Sequence, residues 1–388
     1  MRAVLTFVIA VNSTLFLSCT KNKINDSPVA GLDTLPVVEN QPTASLLTDM
    51  SLSAVYTKRN WQGVPTVEIT NERHLVVAWY SGGKGEGPGN YVTVAESLDG
   101  GTSWRKNALI VAPPDSSYRI FDPALWKDNM GLVHLFWAQS RGWWDGKGGV
   151  WSCLLDFSAD TIKPGKPKFL ADGVMINKPV YQSSEGKTML MPISIWRHAP
   201  TPAVNSGAYV AYASYYAERD NFLIAKNKKI FDDKIRFVDE HQIVATGTGT
   251  FLCLFRTLKG IYYSTSVDNG ENWTTAEPFT VVSPIAASRF HIQRLKSGNL
   301  LLIVNSSSTR TNLKGFLSKN GGKTWPYAIL IDSRKNVSYP DACEGPNGTL
   351  FVVYDRNRSL DKEINLAKFN EQDFFKKNAK AIISIIDK

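Results

Sequence analysis

Two guanidinium groups in one short run, Arg289 and Arg294 of SRFHIQRL, stand where type and spacing could do chemistry. A planar Arg fork matches a carboxylate in bidentate fashion. Side chains alternate along a strand, so residues an odd number apart face opposite ways, and Arg289 is expected to point inward. Glu86 is the only carboxylate in the glycine-rich part of YSGGKGEGPGNYVTVAES, on a loop free to approach a ligand. Trp143 and Trp144, in SRGWWDGKGG, offer an aromatic pair in a second Gly-rich loop, expected to be exposed and able to stack on sugar faces. Cysteine chemistry is not expected. Cys153 and Cys253 lie in apolar, strand-like runs, and with Cys343 they show no metal-ligand spacing, so they read as buried free thiols.

The elements that must position these groups announce themselves through a repeat. SLDGGTSW (Ser97 to Trp104) returns as SVDNGENW (Ser266 to Trp273) and SKNGGKTW (Ser318 to Trp325). In each, a short side chain (Asp99, Asp268 or Asn320) can accept hydrogen bonds from its own turn, and a glycine (Gly101, Gly270 or Gly322) can take positive φ. The tryptophan that closes each copy is a plate for packing the hairpin onto its neighbour. Three copies predict repeated β-hairpins, with these residues structural and not catalytic. From about Trp61 onward the chain runs through short β-rich segments such as HLVVAWY, GLVHLFWA, TMLMPISIW, FLCLFRT, NLLLIVN and TLFVVYD, separated by turn signals. Helical periodicity is absent until Asn370 to Asn378, which could form a short terminal helix. At 388 residues, 43% hydrophobic and 11% aromatic, the chain can bury one large all-β core. The net charge of +9 comes from scattered basic residues with no nucleic-acid motif, which points to anionic glycans as partners and excludes nucleic acid.

The three boxes resemble the Asp-boxes of the sialidase superfamily, which join the third and fourth strands of propeller blades and lie away from the active site. The resemblance, from about Trp61 to Lys368, implies a β-propeller. Box spacing divides residues 60–365 into six units, hence six blades, with five or seven as neighbouring counts. It also proposes roles. Tyr339, in NVSYPDACEGPNGTLFVVYD, resembles the nucleophile at the start of the last blade. A neutral phenol suits a sugar whose carboxylate would repel an anionic nucleophile, and it needs a base in contact. Glu240, in VDEHQIVATGTGTFLCLFRT, would be that base, and Arg256 and Arg289 would hold the substrate carboxylate. Glu86 resembles the general acid, and Asp122, in FDPALW, a pocket-lining substrate contact. The first-blade arginine of the family's carboxylate-binding triad is missing, since WQGVP places Gly63 there. Arg119, in YRIFDPALW, matches the second blade instead. YDRNRSLDKE, with Arg356, reads as a solvated loop with internal salt bridges.

Upstream, MRAVLTFVIAVNSTLFLSC reads as a bacterial lipoprotein-type signal over residues 1–19, with Cys19 as the lipidated residue. Residues 20–55 suit a flexible tether, and 56–388 a single catalytic propeller. The expected protein is secreted across the inner membrane and lipid-anchored at the cell envelope, touching membrane only through that lipid. It would be an exo-acting retaining glycosidase of sialidase type that requires no cofactor or metal. Two alternatives stay open: a propeller lyase acting on uronic-acid glycans, with His241 or His291 as base and Tyr339 as acid, or a non-catalytic glycan-binding lipoprotein using Trp143 and Trp144.

Overall fold

Six antiparallel sheets follow one another along the chain, each built from strands contiguous in sequence apart from one added at the start. The computed structural model describes residues 41–48, 54–158, 161–183 and 186–388; the expected signal and Cys19 lie outside them, as does most of the tether. The sheets are the blades of a six-bladed β-propeller. Their innermost strands are Trp61–Ile69, Tyr118–Lys127, Val180–Tyr181, Arg236–Gly247, His291–Arg294 and Val337–Glu344. Blade one gains an outer strand, Ser45–Leu47, on Arg105–Ala112. Blade six is made wholly from the chain's last strands, ending with Ile382–Asp387. Among the described residues no sheet is shared between the chain ends, and hydrogen bonds between blade one and blade six close the ring, Gln62 N–H donating to the Arg358 carbonyl at 3.0 Å. Thr66 Oγ1 and the Val67 N–H of blade one donate to Asp341 of blade six at 2.8 and 2.9 Å.

Second strands such as Leu75–Gly82 and Val133–Arg141 are almost wholly buried, because each blade is covered on both faces by its neighbours. The three boxes connect third to fourth strands in blades one, four and five. In the first, the Gly101 N–H donates to Ser97 Oγ at 2.8 Å, and the Thr102 and Ser103 N–H groups donate to Asp99. Gly101 has φ +87°, and a Cβ there would run into Leu366 of blade six. Gly270 meets Leu190 of blade three in the same way, and Gly322 meets Leu252 of blade four. Each box thus docks on the preceding blade. The closing tryptophans behave as expected, with Trp273 and Trp325 donating their indole N–H to the box glycine carbonyls at 2.7 and 3.0 Å.

Two expectations are corrected. The tail forms only a 3₁₀ turn, Glu371–Phe375, capped by Asn370, and then returns as the outer strand of blade six. Trp144 is not exposed: it is buried, stacks on Trp196 and donates to Thr201 Oγ1 at 2.7 Å, leaving only Trp143 at the surface. Cys153, Cys253 and Cys343 are free and buried.

Four of the inner strands carry a bulge near their start, and at each a non-glycine residue takes positive φ: Val64 (59°), Asp122 (49°), Glu240 (43°) and Tyr339 (54°). A bulge inserts an extra residue and re-aims its side chain. Left-handed backbone is costly for such residues and tends to gather where function requires it. Three of these four were candidate site residues on sequence grounds.

Candidate active site

Tyr339 and Glu240, from blades six and four, meet across the axis. The Tyr339 hydroxyl donates to Glu240 Oε1 at 2.5 Å. Arg256, at the end of the second strand of blade four, donates from Nη1 to Glu240 Oε2 and to the Tyr339 oxygen, both at 2.8 Å. Its Nε donates to the Ala287 carbonyl at 3.0 Å, which fixes the fork. Burial pushes the Tyr339 phenol up to about 12, with Arg256 pulling the other way. Burial also pushes the Glu240 carboxyl up, but Arg256 and the Tyr339 hydrogen bond more than offset it, and Glu240 titrates below the ordinary value. The pair is therefore a neutral phenol held against a carboxylate.

All six blades contribute to the cavity of about 250 Å³ around this pair. Blade one supplies Tyr80 and Glu86, and blade two Arg119, Asp122 and Trp143. Trp196 comes from blade three, Phe237 with Glu240 and Arg256 from blade four, Arg310 from blade five and Arg358 from blade six. Burial, and then the Glu86 charge, push the Asp122 carboxyl up to about 7. Glu86 stands at the rim, its side chain 36% exposed, with Oε1 3.2 Å from Arg358 Nη1.

Arg358 answers the gap left by Gly63. A Cβ on Gly63 would lie 2.8 Å from Arg358 Cδ and Nε, so the blade-six guanidinium fills the space beside that glycine. Its Cζ is 4.0 Å from the Tyr339 ring centroid, and Arg310 Cζ is 5.1 Å from it. Asp355, accepting from Val64 N–H, Ser338 Oγ and Arg358 Nε, holds this guanidinium in place. Sequence reasoning missed Arg310 and Arg358. Both sit in loops outside the motifs, and the only signal was the charge density of YDRNRSLDKE, where Arg356 instead pairs with Glu363 and Asp361, in keeping with a loop of internal salt bridges.

Arg289 is not brought to the pocket. It is buried in the axis, where Nε and Nη2 donate to Asn177 Oδ1, Nη2 also to the Ile176 carbonyl, and Nη1 to the Pro65 carbonyl. The two histidines of the lyase alternative are elsewhere too: His241 Nε2–H donates to the Tyr209 carbonyl at 2.9 Å, and His291 pairs with Asp341 at 2.9 Å. Among the described residues no group of three or more His, Cys, Asp or Glu is arranged to hold a metal.

The BNR repeat-like domain matches residues 73–352. The chain belongs to that family. No curated protein matches it. Among solved structures, this BNR repeat-like protein is similar to the leech intramolecular trans-sialidase at 12% identity, covering 82% of this chain and 69% of that one, TM-score 0.63. It is similar to the intramolecular trans-sialidase of Ruminococcus gnavus at 14% identity, covering 84% and 97%, TM-score 0.57. The GH93 α-L-arabinofuranosidase of Fusarium graminearum is 10% identical over 82% and 96%, TM-score 0.58. At such identities the likeness shows the fold, a sialidase-type propeller that glycoside hydrolases also use.

Proposed function

We propose that this protein is an exo-acting retaining glycoside hydrolase that removes a terminal anionic sugar, with Tyr339 as nucleophile. The observation that carries the reading is the 2.5 Å hydrogen bond from Tyr339 to Glu240, with Arg256 bridging both. A phenol raised to about 12 is not a standing anion. Its proton passes to Glu240 as its oxygen bonds to the anomeric carbon and the glycosidic C–O bond breaks. Glu86 at the rim protonates the departing oxygen, because in an exo enzyme the leaving group points out of the pocket. Glu86, then a carboxylate, takes a proton from the water that attacks the anomeric carbon, and as the bond to the Tyr339 oxygen breaks Glu240 returns its proton to that oxygen. Asp122, at about 7, donates a hydrogen bond to the sugar from the pocket floor while it remains protonated. Arg256, Arg310 and Arg358 face the substrate carboxylate, with Arg358 in place of the absent first-blade arginine. Neither histidine lines the cavity that holds Tyr339, which disfavours the lyase reading.

The test is fluorophore release from 4-methylumbelliferyl α-glycosides of N-acetylneuraminate and of other sugar acids. Wild type should turn over at least one, and Tyr339→Phe should lose on the order of 10⁴ to 10⁶ in kcat, the usual scale for removing a nucleophile. Turnover that survives Tyr339→Phe would overturn the mechanism, and no turnover on any of them the function.

A further inference from the structure

Arg119 is fully buried, yet none of Nε, Nη1 and Nη2 has a hydrogen-bond partner. Its guanidinium lies over Phe121 at 3.7 Å from the ring centroid, with Trp143 at 5.1 Å and Trp196 at 5.8 Å. Ring faces hold a cation flat but leave the N–H groups radiating in the guanidinium plane unmet. A buried charge without hydrogen bonds is costly, so this one persists at the expense of stability. The acidic groups that face it through space are Tyr80, Asp122, Glu86 and Asp145, and none is in ion-pair contact. Glu86 is taken by Arg358, and Asp145 accepts from the N–H groups of Arg141, Lys147 and Gly148. Asp122 holds a proton up to about pH 7.

The ion pairs of the cavity point the same way. Arg256 is paired with Glu240, and Arg358 with Asp355 and Glu86, whereas among the described residues Arg119 and Arg310 have no carboxylate in contact. Two guanidinium groups are thus left for the acidic groups of a ligand. Trp143, 38% exposed in its glycine-rich loop, is the one member of the aromatic cage that reaches solvent.

We infer that Arg119, with Trp143 and Trp196, forms a second anion-binding locus, so that the preferred terminal sugar carries two acidic groups, one beside Tyr339 and one beside Arg119. This rests on the glycosidase reading above and narrows its substrate class to dianionic sugars, such as those with a second carboxylate or a sulfate ester.

The test measures binding of matched sugar acids by calorimetry and by tryptophan fluorescence, which Trp143 and Trp196 should report. Galactarate is compared with galactonate, and glucarate with gluconate, in wild type, Arg119→Met, Arg119→Lys and Arg310→Met. In wild type at least one diacid should bind about 10-fold or more tightly than its monoacid, the scale of one charge-assisted hydrogen-bonded group. Arg119→Met should abolish that preference, and Arg119→Lys should keep part of it. Arg119→Met should also raise Tm, since it removes an unpaired buried charge. Equal binding of diacids and monoacids in wild type, or a preference that survives Arg119→Met, overturns the second locus and leaves the glycosidase reading standing. No binding of any acid overturns both.

Discussion

Two clusters of arginine and carboxylate lie along one axis, and they differ in what their donors do. In the lower cluster Arg289 gives all three of its nitrogens to Asn177, Ile176 and Pro65. Asp341 there gathers Thr66, Val67, Lys178 and His291, and although burial pushes its carboxyl up, Lys178, His291 and Arg289 hold it far below the usual range. In the pocket, none of the three Arg119 nitrogens has a hydrogen-bond partner, Arg358 keeps Nη2 unpaired, and Arg310 stands over the Tyr339 ring at 5.1 Å. A cation whose donors meet protein acceptors stiffens the fold. Under the proposed function, the donors left over in the pocket are the ones that meet a substrate.

Substitutions at the two clusters should therefore fail in different ways. Next to the loss expected of Tyr339→Phe, the largest effect is expected at Glu240→Gln, which keeps the shape of the site but removes the base and should lower kcat by about 10² to 10⁴ with Tm little changed. Arg310→Met should raise KM for an anionic substrate about 10- to 100-fold, the value of one charged hydrogen-bonding partner, with Tm held. Arg289→Met should do the reverse, lowering stability by about 3 kcal/mol or more in denaturant melts through the acceptors it strands. If Arg289→Met weakens binding as much as Arg310→Met does, the division between the clusters is wrong.

A subtler test uses Asp122. Its folded value of about 7 lies above the ordinary 3.8, so its contribution is fully present below about pH 4 and is lost as pH rises through 7. The stability of Asp122→Asn relative to wild type should therefore climb between pH 4 and 7, by about 4 kcal/mol at most, and level off above. A flat difference across that window would show that Asp122 is an ordinary carboxylate. The smallest effect belongs to the box turns, where Ser97→Ala removes the acceptor for the Gly101 N–H. It should cost about 1 kcal/mol without touching kcat.

The strand-like runs legible in the sequence were the second and third strands of the blades. They are sandwiched between neighbouring blades and read as apolar runs. The inner strands escaped notice because a bulge breaks their alternation, and their polar residues face the axis rather than water. The last strand, Ile382–Asp387, followed a stretch that reads as helix and was hidden by it.

What this sequence settles by itself is the repeat. A box needs a short acceptor, a glycine at positive φ and a tryptophan within eight residues, all local requirements visible in one dimension, and three of them carry the propeller; the order Glu240, Arg256, Tyr339 came from the resemblance of the segments around those residues to the sialidase family. Which arginine meets a ligand was decided only in three dimensions. Arg289 and Arg358 are alike as side chains in polar stretches. One falls among carbonyls beneath the pocket, and the other into the space beside Gly63, because the ring brings blade six against blade one. Whether a guanidinium's donors are spent or spare depends on neighbours far away in sequence, and no local pattern encodes them.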